Sequence, residues 1–547
     1  MSNIFNSVLV KKPKTSKHNL SFENKFTAKF GELTPFLVQE VLPGDKFKVG
    51  EQHLVRFAPL IHPIMQNVNV FMHYFFVPNR LVYDDWENFI AGKQDENGND
   101  YVPPYFDTKN IARDADHYLC NGALADYMGF PTYGYDSQEM QEFTTSGTSI
   151  KFSALPFRAY QLIYNEYFRD QNVIAEVEFD KTGGEVLPKD YQSLFTIRRR
   201  AWHKDYFTSA LASPDNGVDI VLPIEGDVNM EYKKGGYTWL RDSQGNLLSS
   251  SQAGSNLVVG ADRDVSVSGQ SANIDNHDNL VGKLANNVSL PSVQNLRRAF
   301  KMQKFVETQA RTGSRYIEML LAFFGVKSSD ARLQRPEYLA GIKTPVIFSE
   351  VQQTSQTNKE VGKESALGSL AGNGTSLNSG FSFSRRFEEH GFIIGVMSVM
   401  PKASYQQGLN RKLTRLNDRF DYYWPDFQHI GEQEIKNKEI YCDYKKVGDV
   451  SAETYNEGTF GYAPRYAEYK YNPSEVHGEF RSTLDSWHMG RIFDNRPNLN
   501  RSFLEYDNSN ADRVLAVSQD ISAPLYVQIY NNIVAQRPMS KFGNPKL

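Results

Sequence analysis

Cysteine is almost absent from this chain: Cys120 and Cys442 are the only two among 547 residues. Two cysteines cannot build a disulfide framework, so the fold is expected to rest on packing and to form in a reducing cytoplasm. No apolar run approaches the roughly 20 residues that a membrane-spanning helix requires. The N-terminal sequence MSNIFNSVLVKKPKTSKHNL lacks the order of basic end, apolar core and cleavage site that marks a signal peptide. Nor is there an excess of either charge, since the formal net charge is −4. That balance excludes a chain that is basic all over, but it leaves room for a local basic patch.

Catalytic patterns are missing too. No glycine spacing matches a phosphate-binding loop or a dinucleotide fingerprint, and there is no G-x-S-x-G elbow. The 11 histidines are scattered, without H-E-x-x-H or H-x-H spacing. His62 and His73 would have to converge from separate strands to share a metal, so both read as structural histidines. Glu388-Glu389-His390 follows Arg385-Arg386, and local ion pairing accounts for that cluster. Neither cysteine has the surroundings of a nucleophile. The sequence gives an enzyme no positive support, and no cofactor is expected.

What the chain does have is a dense scaffold. Leu42-Pro43-Gly44-Asp45 places Pro second and Gly third in a tight turn. Val68 to Val77 is the strongest strand. Val70, Met72, Tyr74 and Phe76 face one way, Phe71, Phe75 and Val77 the other, so a strand covered on both sides is expected. Asp84 to Glu87 resembles a capping box before a short helix that stops at Gly92. Residues 94–149 are turn-rich and read as a long surface excursion. Ser153 to Asp170 is a helix with Pro156 in its first turn, and Phe157, Tyr160, Ile163, Tyr164 and Tyr167 form a core-facing stripe.

From Pro214 to Ser289 the composition turns to Gly, Ser, Asn and Asp, with strand-like pieces at 218–222, 257–259 and 265–267. This segment reads as an exposed insertion with some β structure. Helices are expected from about Leu296 to Gly313 and from Ser314 to Phe324. Gln352 to Gly380 reads as a further Gly/Ser/Thr-rich loop, and Gly391 to Met400 as a buried strand. By length alone the chain would hold roughly three to five domains. Its many short strands with long, irregular connections point instead to a mainly β sandwich carrying large insertions with several helices.

Two places suit contact with nucleic acid. Residues 1–29 form a basic arm with Lys11, Lys12, Lys14 and Lys17, read either as a solvated tail or as a phosphate-binding one. Arg198-Arg199-Arg200 followed by Trp202 mixes cations with a stacking ring, although ion pairs at a subunit contact explain it equally well.

Several stretches, in one order, resemble the major capsid proteins of the Microviridae, and most of all their gokushovirus-like branch. They include LPGDKFKV, APLIHPIMQNVNVFMHYFFVPNRLVYDDWENF, LPFRAYQLIYNEYFRDQN, RRRAWHKDYFTSAL, LRRAFKMQKFVETQARTGSRYIEMLLAFFGV, HGFIIGVMSV, FDYYWPDFQHIGEQEI and GYAPRYAEYKY. The resemblance implies an eight-stranded antiparallel jelly roll over residues 30–547. Identical copies would tile a T=1 shell around a circular single-stranded DNA genome, assembled in the cytoplasm of a bacterial host and carried in the virion. Residues 214–289 fall where such relatives carry a protrusion at the threefold axes. Implied partners are other copies of the chain, the genome, small internal DNA-binding and scaffolding proteins of the same phage, and a host surface receptor, with no membrane insertion. The competing expectation is a soluble jelly-roll module for carbohydrate binding or host attachment.

Overall fold

A computed structural model describes residues 14–111, 118–132, 149–214, 315–352, 354, 370–416, 418–444, 451–518 and 522–542, together with short strands and one helix lying between 228 and 312. The chain divides into two compact units, Met1–Pro214 with Gln309–Leu547, and Asp215–Thr308.

The first unit is built on two antiparallel sheets. Their strands in chain order are β1 (Ser16–Asn19), β2 (Phe22–Ala28), β3 (Thr34–Val41), β4 (Lys46–Phe57), β5 (Val68–Pro78), β6 (Glu337–Pro345), β7 (Ile347–Gln352), β8 (Leu370–Arg386), β9 (Gly391–Pro401) and β10 (Leu525–Arg537). The six-stranded sheet runs β1-β10-β4-β8-β7, with β2 also on β10, and the four-stranded sheet runs β6-β5-β9-β3. The sandwich is therefore not an even pair of four-stranded sheets. Asn19 pairs with Val534 and Phe22 with Asn531, so β1 and β2 keep one register along β10. The break between them falls where the Ser21 hydroxyl accepts the Ile533 N–H at 3.0 Å.

Alternation explains the six-stranded sheet. Phe47, Val49, Val55 and Phe57 of β4 are buried, as are Leu525, Val527, Ile529, Ile533 and Ala535 of β10. Glu51, His53 and Asn531 share the inward phase and are buried too, while the alternate residues point outward. Between the sheets lies the main core, to which β5 contributes Val68, Val70, Met72, Tyr74 and Phe76. Phe75 and Val77 enter a second core with Ile394 and Val396 of β9, so the central strands of the four-stranded sheet are covered on both faces, as their apolar sequences require.

The second core is closed by α1 (Trp86–Ile90), α2 (Leu155–Ile163) and the π turn Tyr164–Phe168 that continues α2. Phe157, Tyr160, Ile163 and Tyr164 are all buried in it, and Tyr167 packs against it. The Leu42–Asp45 turn forms as its residues dictate. Gly44 takes φ 92° and the Asp45 N–H donates to the Leu42 carbonyl at 3.0 Å.

Three local expectations need correction. Helix α1 starts at Trp86 after Asp85, which makes no capping bond and instead accepts from Asn88 Nδ2 at 3.3 Å, so Asp84 to Glu87 is not a capping box. Gly92 does end the helix in the left-handed region, at φ 64°. Leu370–Gly380 is strand, not loop. It is held between β4 and β7, and Gly372 and Gly374 are needed for close approach: a Cβ on Gly372 would lie 2.7 Å from the His62 carbonyl oxygen. The charged cluster at 385–390 pairs across the fold rather than locally, Arg385 with Glu337 at 2.6 Å and Glu389 with Arg80 at 2.5 Å.

In the second unit the strand pairs nest. Val228–Tyr232 pairs with Leu280–Leu284, Trp239–Arg241 with Asn273–Asp275, and Leu257–Val259 with Val265–Val267. The expected piece at 218–222 lies outside the described residues. Helix α3 (Val293–Thr312) follows; α4 (Tyr316–Phe324), in the first unit, ends on Gly325 at φ 66°.

Candidate nucleic-acid interface

The segment 198–202 is extended, with backbone bridges from Arg199 to Glu32 and from Ala201 to Glu505. Successive side chains therefore diverge. Arg198 is buried, with Nε donating to Gln161 Oε1 at 2.7 Å and Nη2 to the Ser193 carbonyl at 2.6 Å. Burial draws its pKa below the ordinary arginine value. Trp202 is also buried, 4.9 Å from the Tyr506 ring, with the Arg491 guanidinium 5.0 Å from its own. Arg200 is half-buried and stacks over Phe71 at 4.1 Å. Arg199 is exposed. Arg198 and Trp202 thus act within the fold of this subunit, and the four residues do not form one stacking platform. Of the arm, Lys11 and Lys12 lie outside the described residues, Lys14 is exposed just ahead of β1, and Lys17 is an exposed residue of β1.

Lys17 belongs to something larger. On the outer face of the six-stranded sheet it stands opposite Gln536, which stands opposite Lys46, which stands opposite Arg386. Along β4 the same face presents Lys48, Gln52, Leu54 and Arg56, and β2 adds Lys25. Six cations, Lys17, Lys25, Lys46, Lys48, Arg56 and Arg386, thus share this face, where Glu23 beside Lys25 at 3.4 Å is the one carboxylate on the paired strands. Alternate residues on a strand are roughly 7 Å apart and neighbouring strands about 4.8 Å, so the charges form a lattice rather than a point.

Rings are interspersed among them. Phe381 is 59% exposed, Tyr526 44% and Tyr530 41%, and the Lys48 ammonium lies 5.6 Å from the Phe381 ring. Amides of Gln52, Gln528, Asn532 and Gln536, the half-buried Leu54 and the exposed apolar side chains of Leu377, Ile347 and Val534 occupy other positions of the face. Cations that track a phosphate chain, together with exposed rings on which bases stack, are what sequence-independent binding of a single strand needs. The sequence carried the signal: in KFKVGEQHLVRF the cations occupy the phase opposite to the buried apolar residues.

Among the described residues no cluster of His, Cys, Asp and Glu could hold a metal ion. His62 Nδ1 lies 2.9 Å from Ser486 Oγ and its ring stacks on Trp487. His73 is held neutral, its pKa drawn down to about 4 by burial and then by Arg200. Burial raises the thiol pKa values of both Cys120 and Cys442. No described helix is long and apolar enough to cross a membrane.

The class of protein is a viral shell component. A family model described as "Capsid protein (F protein)" matches residues 7–547, and the chain belongs to this family of phage capsid proteins. Capsid protein VP1 of Bdellovibrio phage phiMH2K is 35% identical over 97% of this chain and 95% of its own length. Capsid protein VP1 of Chlamydia phage 1 is 35% identical, covering 100% of this chain and 98% of its own. Capsid protein VP1 of Spiroplasma virus 4 is 31% identical over 94% and 92% respectively. The chain is accordingly a structural capsid protein of the Microviridae, and its place is the virion.

Proposed function

We propose that the chain is the repeating tile of a T=1 icosahedral shell around single-stranded DNA, and that the outer face of the six-stranded sheet lies against that DNA. The observation that carries the reading is the concentration of six cations and three exposed rings on one open sheet face of a protein whose net charge is −4. The tile is a jelly roll. Counting β1 and β2 as one interrupted strand and β7 as an added edge leaves the orders β2-β10-β4-β8 and β6-β5-β9-β3, a four-and-four arrangement of the kind used in viral shells. Lys14, Arg199 and the basic arm supplement the sheet face at the genome. The insertion 214–289 faces outward and meets the host receptor, while small DNA-binding and scaffolding proteins of the phage assist assembly in the host cytoplasm.

Electron cryomicroscopy of DNA-filled particles tests this. Expected are uniform small icosahedra with nucleic-acid density against Lys46, Lys48 and Tyr526. Particles in which that face points to the exterior would overturn the assignment. A chain that stays monomeric with its phage partners present, and binds glycans, would favour an attachment module instead.

A further inference from the structure

A cavity of about 600 Å³ lies over the outer face of the four-stranded sheet. Its floor is His73 and Phe75 of β5 with Tyr338 of β6, and its walls include Phe168, Arg200 and Lys327. Aromatic surface and positive charge dominate it. Two of its cations are already neutralised: Arg335 pairs with Asp330 at 3.3 Å and with Glu166 at 3.8 Å, and Lys204 pairs with Asp170.

Arg200 is different. Among the described residues no carboxylate pairs with it. Its Nη1 donates to Ser398 Oγ at 2.9 Å and lies 3.5 Å from Nε2 of the neutral His73. Its guanidinium lies 4.1 Å from the Phe71 ring centre and 5.9 Å from that of Phe168. Lys343 adds a second cation 5.7 Å from the Phe71 ring. A half-buried guanidinium whose side-chain hydrogen-bonding neighbours are a hydroxyl and an imidazole, with no carboxylate, is incompletely compensated, and an anion entering the cavity would complete it. Tyr338, 45% exposed, offers a flat face to whatever carries that anion.

We propose that this cavity binds a nucleotide, its phosphate on Arg200 with help from Lys327 and its base against Tyr338 and Phe168. The site is separate from the six-stranded sheet face and does not rest on it. The nucleotide is either free or a unit of a DNA strand, and the chemistry of recognition is the same.

Calorimetric titration of the purified full-length chain with thymidine 5′-monophosphate, and separately with inorganic phosphate, tests the site. The nucleotide is expected to bind more tightly than phosphate. Arg200→Gln should weaken both at least tenfold by removing a charged hydrogen-bonding partner. Tyr338→Ala should weaken the nucleotide severalfold and leave phosphate unchanged. If Arg200→Gln does not fold, the exposed Lys327→Gln serves, with a severalfold loss expected for both ligands. Equal binding of nucleotide and phosphate, or full retention of both in Arg200→Gln and Lys327→Gln, would overturn the proposal. Competition by an oligothymidylate in a variant lacking Lys46, Lys48 and Arg56 supports the site with a strand as source. Nucleotide binding that such an oligomer leaves untouched supports it with the free nucleotide as source.

Discussion

Replacing Lys46, Lys48 and Arg56 by Gln removes half of the cations on the open sheet face and leaves its rings in place. All three side chains are exposed and point away from the core, so the fold should be retained. Each phosphate neutralised on a single strand contributes about 0.7 to the slope of log affinity against log salt. If all six cations of the face engage phosphates, the slope is about −4, and between about 50 and about 200 mM salt the affinity falls about 300-fold. With three cations the slope is about −2 and the fall only about 20-fold. Fluorescence polarisation of a labelled oligothymidylate across a salt series reads both values. The control carries the same loss of charge elsewhere, at the exposed Lys93, Lys109 and Lys189. A slope lowered equally by both triple variants, or by neither, would refute the assignment of this face.

Truncating a stacking ring, as in Tyr526→Ala, should cost about 1–3 kcal/mol of strand affinity in the same assay while leaving the salt slope unchanged. Gly372→Ala would force a methyl within 2.8 Å of the Pro63 Cα, and a loss of roughly 1–3 kcal/mol is expected in denaturant titration. Tyr405→Phe deletes the buried hydroxyl that donates to Asp205 Oδ2 at 2.7 Å, for a loss of about 1.5–3 kcal/mol by the same measurement. His73, with its pKa lowered from 6.5 to about 4 by burial and Arg200, binds its proton more readily unfolded than folded. Its contribution is therefore complete above about pH 6.5 and is lost as pH falls toward 4, a change of about 3 kcal/mol. His73→Gln should flatten that part of the stability–pH curve, and an unchanged curve would count against the burial argument.

Much of the scaffold was legible because its residues impose their own geometry. The double-sided strand at 68–78, the strand at 391–401, the stripe on α2 and the turn at Gly44 all follow from periodicity or a special backbone position. Leu370–Gly380 was illegible for the opposite reason. Its glycines resemble a loop until it is known that His62, Pro63 and Phe57 press against that strand, a contact between residues some 300 positions apart in the sequence. The proposed face is only partly visible in the sequence. Lys17 stands out there as part of the basic arm, whereas Lys46, Lys48 and Arg56 are separated by the buried residues of β4 and form no run. Conversely Arg198-Arg199-Arg200 looked like a patch because the three are adjacent, yet extended backbone sends neighbouring side chains to different surroundings, and one of them to the interior.

The difference between the two sheets bears on how such a tile can be oriented. The four-stranded sheet has apolar residues on both faces of β5 and β9, so its outer face must be covered, and α2 with its neighbouring loops covers it. The six-stranded sheet alternates strictly in β4 and β10, so its outer face needs no cover from its own chain. An uncovered sheet meant for a protein neighbour would be expected to have a charge-depleted centre. Here Lys46, Lys48 and Arg56 stand on the middle strand β4, Lys46 directly opposite Arg386 of β8, and nearly all the charges of the face are of one sign. Like charges so placed repel and lower the stability of the isolated subunit. That cost makes physical sense where a polyanion covers the face in the finished particle. The isolated subunit should therefore gain stability on adding single-stranded DNA at low salt, and the variant lacking Lys46, Lys48 and Arg56 should be more stable alone and gain less.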